Sequence, residues 1–336
     1  MSKVAVLGGG GWACALAVLL DDNGHDVTIW SKLEREIECL SKERENKNSL
    51  PGVIIPESIN ISGNIDTAVK DADIIVMAVA SSFVRVTAEL LKGKIRDGQI
   101  IVNVAKGIED NTLFTMTDIL EDVLPNCDAC VLSGPTHAEE VGRKLPTTIV
   151  VGAKTRETAE FIQKIFSSEY FRVYISSDII GIELGGSLKN VIALAAGIAD
   201  GLGYGDNTKA ALITRGIKEI STLGCKMGGQ QQTFSGLSGI GDLIVTCASM
   251  HSRNRRAGIL IGQGKSLQEA MDEVHMVVEG AVSAKAALDL AKKYDVQLPI
   301  IEEVNKVLFE GSPAKDAVKQ LMMREYKSEH MDMMWK

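Results

Sequence analysis

The chain has 336 residues, 45% hydrophobic and 24% charged, enough for a sizeable buried core and about two domains. Its net charge of -8 disfavours the phosphate backbone of nucleic acid as a partner. The N-terminus MSKVAVLGG lacks a secretory leader pattern, and no apolar run approaches the ~20 residues of a membrane span, so a cytoplasmic protein without a span is expected.

In chain order, 3–8, 26–30, 73–79, 99–104, 128–133, 146–152 and 171–176 read as strands. Most are continuous apolar runs, the pattern of a parallel sheet covered on both faces. Helical patterns lie between them, from Trp12 to Asn23 and over 82–92, 112–124 and 155–167, and Gly24 ends the first helix. From about residue 179 strand-like runs become scarce. Helices are expected over 180–200, 208–227, 252–263, 266–273, 280–294, 299–310 and 313–325, the last with Ser312 as N-cap and Pro313 at the first helical position. The architecture read from this order is α/β. A Rossmann-type doubly wound sheet in residues 1–179 is followed by an all-helical unit in 180–336, with a cleft between them.

Six cysteines (14, 39, 127, 130, 225 and 247) are scattered along the chain. Cys127 and Cys130 form a CxxC, but no second pair stands at metal-ligand spacing and the motif runs into a strand. Core or turn cysteines are expected, and no metal site.

The stretch VAVLGGGGWACAL fits the dinucleotide fingerprint in one frame, Gly8-x-Gly10-x-x-Ala13, between the first strand and the first helix. A diphosphate there would meet the free N–H groups and dipole of a helix N-terminus. An NAD-selective site places an acid at the end of the second strand, whereas TIWSKLERE puts Ser31 and Lys32 there. A hydroxyl and an ammonium accept a 2′-phosphate, so NADPH, or use of both NADPH and NADH, is expected.

Further segments depart from ordinary core or surface. NVAKGIE places Lys106 at the carboxyl end of a strand, and SGPTHAEEV places Ser133, Gly134, Pro135 and Thr136 at another. ELGGSLKNVIALAAG sets Lys189 and Asn190 in an otherwise apolar helix, where a lysine needs a partner or a task. GIGDLIVTCASMHSRNRRAG joins Asp242 to a Ser252-Arg253-Asn254 group opening a helix, a composition suited to a phosphate monoester.

These segments, with FSGLSGIGDLIVTC and VVEGAVSAKAA, resemble in order the motifs of the bacterial NAD(P)-dependent glycerol-3-phosphate dehydrogenase family over nearly the whole chain. The resemblance implies a Rossmann domain followed by a helical domain like that of 6-phosphogluconate dehydrogenase. It implies reversible reduction of dihydroxyacetone phosphate to sn-glycerol 3-phosphate, which supplies phospholipid synthesis, and a homodimer. Carried onto this sequence, Lys189 would be the general acid/base. Lys106, Gly134, Thr136, Asp242, Ser252, Arg253 and Asn254 would contact substrate together with Lys189. Gly8, Gly10, Gly11, Trp12, Lys32, Ala138, Val277 and Glu279 would line the cofactor site, with Lys106 and Arg253 reaching it. Gly11, Ala13 and Ala80 depart from the family pattern, which usually has Ser, Gly and Pro there. A 6-phosphogluconate-type or β-hydroxyacid dehydrogenase on the same plan, or a catalytically silent nucleotide sensor, are the competing readings. Two neighbouring, partly desolvated ammonium groups are expected to depress the Lys189 pKa, with Asn190 and Asp242 orienting it.

Overall fold

The computed structural model describes residues 1–274, 277–326 and 328–329. Eight strands form one sheet: β1 (Lys3–Leu7), β2 (Asp26–Trp30), β3 (Asn60–Ser62), β4 (Ile74–Met77), β5 (Ile100–Asn103), β6 (Asp128–Ser133), β7 (Thr147–Gly152) and β8 (Phe171–Ser176). Their order is β3-β2-β1-β4-β5-β6-β7-β8, and the first six strands are parallel. β4 is buried at every position, and β1 at all but Lys3, because helices cover both faces. Because these strands are parallel, the carboxyl ends of β1, β4, β5 and β6 open on one edge of the sheet, where Ser133 lies beside Gly186 of the helical half.

The sheet is not parallel throughout, as its apolar runs had suggested: β7 is antiparallel to β6 and parallel to β8. A run buried on both faces records burial and carries no direction. The helix joining β6 to β7, Ala138–Gly142, has five residues and rises only about 7.5 Å. A six-residue strand runs about 20 Å, so the connection does not carry the chain back across the sheet. Three elements escaped the sequence reading in the β2–β4 region: the edge strand β3 and the helices Glu34–Lys42 and Ile65–Val69. The first of these helices is amphipathic but mostly charged, and Leu40 is its one buried residue.

Two helix starts differ from expectation. The helix read from 112 begins at Met116, where Thr115 and Asp118 form a capping box, after Asn111 and Leu113 adopt left-handed conformations. The last helix is Ala314–Met322, and Pro313 itself occupies the N-cap in an extended conformation. Ser312 instead donates its backbone N–H to the Lys306 carbonyl, ending the preceding helix.

The helix Ile179–Gly201 is the axis of the second half. Contrary to the sequence reading, it is long and apolar enough for a membrane span by length and composition, but 89% of that window is buried inside the protein. The helix Arg253–Gly262 lies against it at backbone contact. A Cβ at Gly197 or Gly201 would collide with the carbonyls of Arg255 or Ile259, and one at Gly258 or Gly262 with those of Leu194 or Ile198. These glycine pairs, four residues apart on each helix, let the two backbones touch and so fix Ser252, Arg253 and Asn254 relative to Lys189.

Glu219, buried, accepts from the backbone N–H groups of Ile300 and Ile301 and closes the start of the helix Pro299–Phe309. Burial pushes its carboxyl up to about 8. A folded pKa above the unfolded one gives stability that is present below about pH 4.5 and lost as pH rises toward 8. Thermal melts at pH 5 and pH 8 should therefore show a larger fall in Tm for the wild type than for Glu219→Gln. Equal falls would remove Glu219 from the pH dependence.

Candidate active site

The glycine-rich turn is built as the fingerprint requires. Gly8 has φ +134°, and a Cβ there would lie 2.6 Å from the Ala78 carbonyl oxygen, so only glycine passes between the ends of β1 and β4. Gly10 is the N-cap of the helix Gly11–Asp22 and brings no capping side chain, leaving first-turn N–H groups for an anion. Asn46 Nδ2 donates to the Gly9 carbonyl at 2.7 Å and ties the turn to the 46–50 segment. In that segment the Ser49 carbonyl lies against Gly11, which leaves no room there for the side chain the family pattern usually has.

Where the carboxyl ends of β5 and β6 meet the long helix, three charges converge. Lys106 Nζ donates to Asp242 Oδ2 at 2.7 Å and to the Gly134 carbonyl at 3.0 Å. Lys189 Nζ donates to Asp242 Oδ1 at 2.5 Å and to Thr246 Oγ1 at 2.7 Å. Asp242 is 1% exposed, so one buried carboxylate bridges two ammonium groups brought from opposite halves of the chain. Burial lowers the Lys189 ammonium to about 8; Lys106 pushes it further down while Asp242 holds it up. Desolvation, rather than repulsion between lysines, is the leading cause. Burial alone would raise the Asp242 carboxyl, but the two lysines override it and hold it below the ordinary range.

The loop carrying Lys106 is clamped from both sides. Asn103 closes a turn on Ala105 with its own side chain, and its Nδ2 also donates to Glu183 Oε1 at 3.3 Å. Ser187 Oγ donates to the Gly107 carbonyl at 3.0 Å. Glu183 and Ser187 share the helix of Lys189, so one rigid element sets both lysines. A turn of π-helix, Leu237–Gly241, aims Asp242 and Thr246 at them from the start of the helix Asp242–Ala248.

Gly134 accepts from Lys106 and, at 3.1 Å, from Thr136 Oγ1, and Ala138 opens the next helix. Asn190 Nδ2 reaches Glu279 Oε2 at 3.4 Å, which puts Glu279 beside the lysine cluster. Ser252 and Asn254 are engaged in structure: Ser252 caps the helix Arg253–Gly262, and Asn254 Oδ1 accepts from the Gly280 N–H at 2.8 Å. Arg255 is held by Asp200, whereas the half-buried Arg253 has no ion-pair partner among the described residues. Trp12 is half-buried behind the glycine turn, and Lys32 and Val277 are exposed. Thr246 was missed by sequence reading; its only signal was its place one turn after Asp242.

Two of the side-chain polar atoms buried without partners among the described residues lie beside the lysine cluster. Ser133 Oγ stands beside Gly186 and the Lys106 stem, and His137 Nε2 lies where burial, then the charge of Lys189, lower its pKa. Unsatisfied donors at the carboxyl edge, with free helix N–H groups next to them, suit a polar substrate beside a dinucleotide. Cys127 and Cys130 are buried thiols, Cys127 pushed up to about 11 by burial.

Six parallel strands in the order 3-2-1-4-5-6 within the eight-stranded sheet, a glycine turn opening the first helix and a desolvated lysine at the carboxyl edge define an NAD(P)-dependent oxidoreductase of the two-part dehydrogenase class. The family models for the N-terminus and C-terminus of NAD-dependent glycerol-3-phosphate dehydrogenase match residues 3–159 and 178–319. The chain belongs to this glycerol-3-phosphate dehydrogenase family. It is 60% identical over 336 residues to glycerol-3-phosphate dehydrogenase (NAD(P)+) of Agathobacter rectalis, covering 100% of both chains. It is 61% identical over 331 residues to the protein of that name from Fusobacterium nucleatum, covering 98% of this chain and 99% of that one. The crystal structure of glycerol-3-phosphate dehydrogenase from Coxiella burnetii superposes with TM-score 0.93 at 32% identity, covering 96% and 99% of the two chains.

Proposed function

We propose that this chain catalyses the reversible NAD(P)H-dependent reduction of dihydroxyacetone phosphate to sn-glycerol 3-phosphate, a precursor for glycerophospholipids. The observation that carries the reading is the Lys189–Asp242–Lys106 triad, with Lys189 and Asp242 buried, at the carboxyl edge of a nucleotide sheet. A bound nicotinamide would supply hydride for the C2 carbon, which leaves the C2 oxygen in need of a proton. Lys189 Nζ gives that proton, and takes it back in the oxidative direction. With its ammonium near 8 it can do both close to neutral pH. Lys106 adds positive charge beside the developing alkoxide, and Asp242 holds the two ammonium groups in register.

Gly134, Thr136, Ser252 and Asn254 shape the substrate pocket, and Arg253 forks onto the phosphate oxygens. Gly8, Gly10, Gly11 and Trp12 hold the diphosphate side of the cofactor. Lys32 faces the adenosine, and Ala138, Val277 and Glu279 complete the cofactor site, which Lys106 and Arg253 also reach. The division into a nucleotide domain, 1–179, and a substrate domain, 180–336, belongs to the same proposal, as does a cytoplasmic homodimer. The dimer rests on the family resemblance and is checked by sedimentation.

The test is NADPH and NADH oxidation with dihydroxyacetone phosphate against a panel of small ketoacids. Turnover confined to the phosphorylated ketone is expected, with NADPH at least comparable with NADH; turnover of ketoacids instead would sink the reading. Arg253→Ala should raise KM for the phosphorylated ketone by about 10- to 100-fold, the loss of one charge-assisted phosphate contact. An unchanged KM would take Arg253 out of phosphate recognition.

A further inference from the structure

The end of β2 carries no acid, yet an acid stands there in space. The helix Glu34–Lys42 begins three residues after Ser31 and turns the Glu36 side chain back over the glycine turn. Ser31 Oγ donates to Glu36 Oε2 at 2.6 Å, and the same Oγ accepts from the Leu33 N–H at 3.1 Å, so the carboxylate is pinned at the strand end. On its other side the carboxylate lies against the turn: a Cβ on Gly9 would stand 2.5 Å from Glu36 Oε2 and 3.0 Å from its Cδ. Gly9 is thus the spacer that leaves room for Glu36. Among the described residues no cation forms an ion pair with this carboxylate, and the neighbouring Lys32 is exposed and makes no ion pair either.

The position between the first glycine turn and the end of β2 is where a nucleotide sheet receives the adenosine ribose, and an acid there accepts from the 2′-hydroxyl. We propose that Glu36, held by Ser31 over Gly9, is the residue that discriminates at the ribose 2′ position of the cofactor, opposing the 2′-phosphate that Lys32 attracts. The two charges act against each other. Lys32 favours the dianionic 2′-phosphate from the solvent side; Glu36 repels it from the sheet side and accepts the hydroxyl of NADH. The balance makes this chain a user of both cofactors, and removal of one member makes it selective. This inference rests on the dinucleotide reading of the cleft, and it assigns the 2′ subsite to a residue outside the glycine motif.

The assignment is tested by binding, without turnover. NADH and NADPH are titrated by nicotinamide fluorescence into wild type, Glu36→Gln and Ser31→Ala, with adenosine 5′-monophosphate and adenosine 2′,5′-bisphosphate as competitors. Glu36→Gln should tighten NADPH and the bisphosphate about tenfold, while NADH and the monophosphate weaken by threefold or less. Ser31→Ala, which frees the carboxylate without removing it, should shift the ratio in the same direction by a smaller factor. It carries the test if melting curves show that Glu36→Gln is misfolded. Binding of both cofactors with the NADPH-to-NADH affinity ratio unchanged in the variants overturns the Glu36 assignment alone. Failure of the wild type to bind either dinucleotide overturns the cofactor reading and this inference with it.

Discussion

Lys189→Met is expected to lower kcat for ketone reduction by about 10²- to 10⁴-fold, the usual contribution of a positioned proton donor. Methionine keeps most of the stem volume in a helix buried at every neighbouring position, so the fold should survive and circular dichroism should be unchanged. The pH dependence of the wild type gives the same residue an independent signature. Reduction needs the ammonium form, so kcat/KM should be flat below about 8 and fall tenfold per unit above it. Oxidation needs the free amine and should show the opposite limb, rising with pH up to about 8 and levelling off above it. In Lys189→Met both limbs should vanish from the residual activity. A variant that keeps near-normal kcat, or keeps the limb, would show that the proton comes from elsewhere.

The second large effect is expected at Asp242, which is isolated from water between two ammonium groups. Asp242→Asn preserves shape and removes the one charge that compensates both lysines. Breaking a buried ion pair from one side typically destabilises by about 3–5 kcal/mol, so a clear fall in Tm is predicted. The lysines relieve the uncompensated charge by releasing protons. The Lys189 pKa should therefore move below its present value of about 8, and the limb for reduction should shift to lower pH. At pH 8 that shift and the lost orientation together should reduce kcat/KM by at least about 100-fold. An unchanged pH limb would mean that Asp242 is a packing residue and that the triad does not set the proton donor.

Much of this arrangement was legible in the chain. The strand runs and the glycine turn gave the nucleotide half because each depends on local chemistry: β-branched burial, a glycine at φ +134° and a helix N-terminus. Lys189 was legible because a cation inside an apolar helix is costly and demands a partner. Its partner was less legible, since Asp242 and Thr246 lie 53 and 57 residues away and come together only through the packing of separate helices. The direction of β7 was hidden because burial on both faces looks the same in either orientation. Ser252 and Asn254 looked like ligand residues by composition, and the structure finds them also holding a helix start and a backbone N–H. Glu36 was hidden for the opposite reason. In sequence it is one acid in a charged surface helix, and only the fold lays it on Gly9.

By itself, then, the sequence determined the alternation of strand and helix, the dinucleotide turn and the buried lysine, all properties of residues within one turn or one strand of each other. Tertiary structure alone decided that one carboxylate serves both lysines and what sits at the end of β2. Those are contacts between segments far apart in the chain, set by helix packing and by where each connection returns.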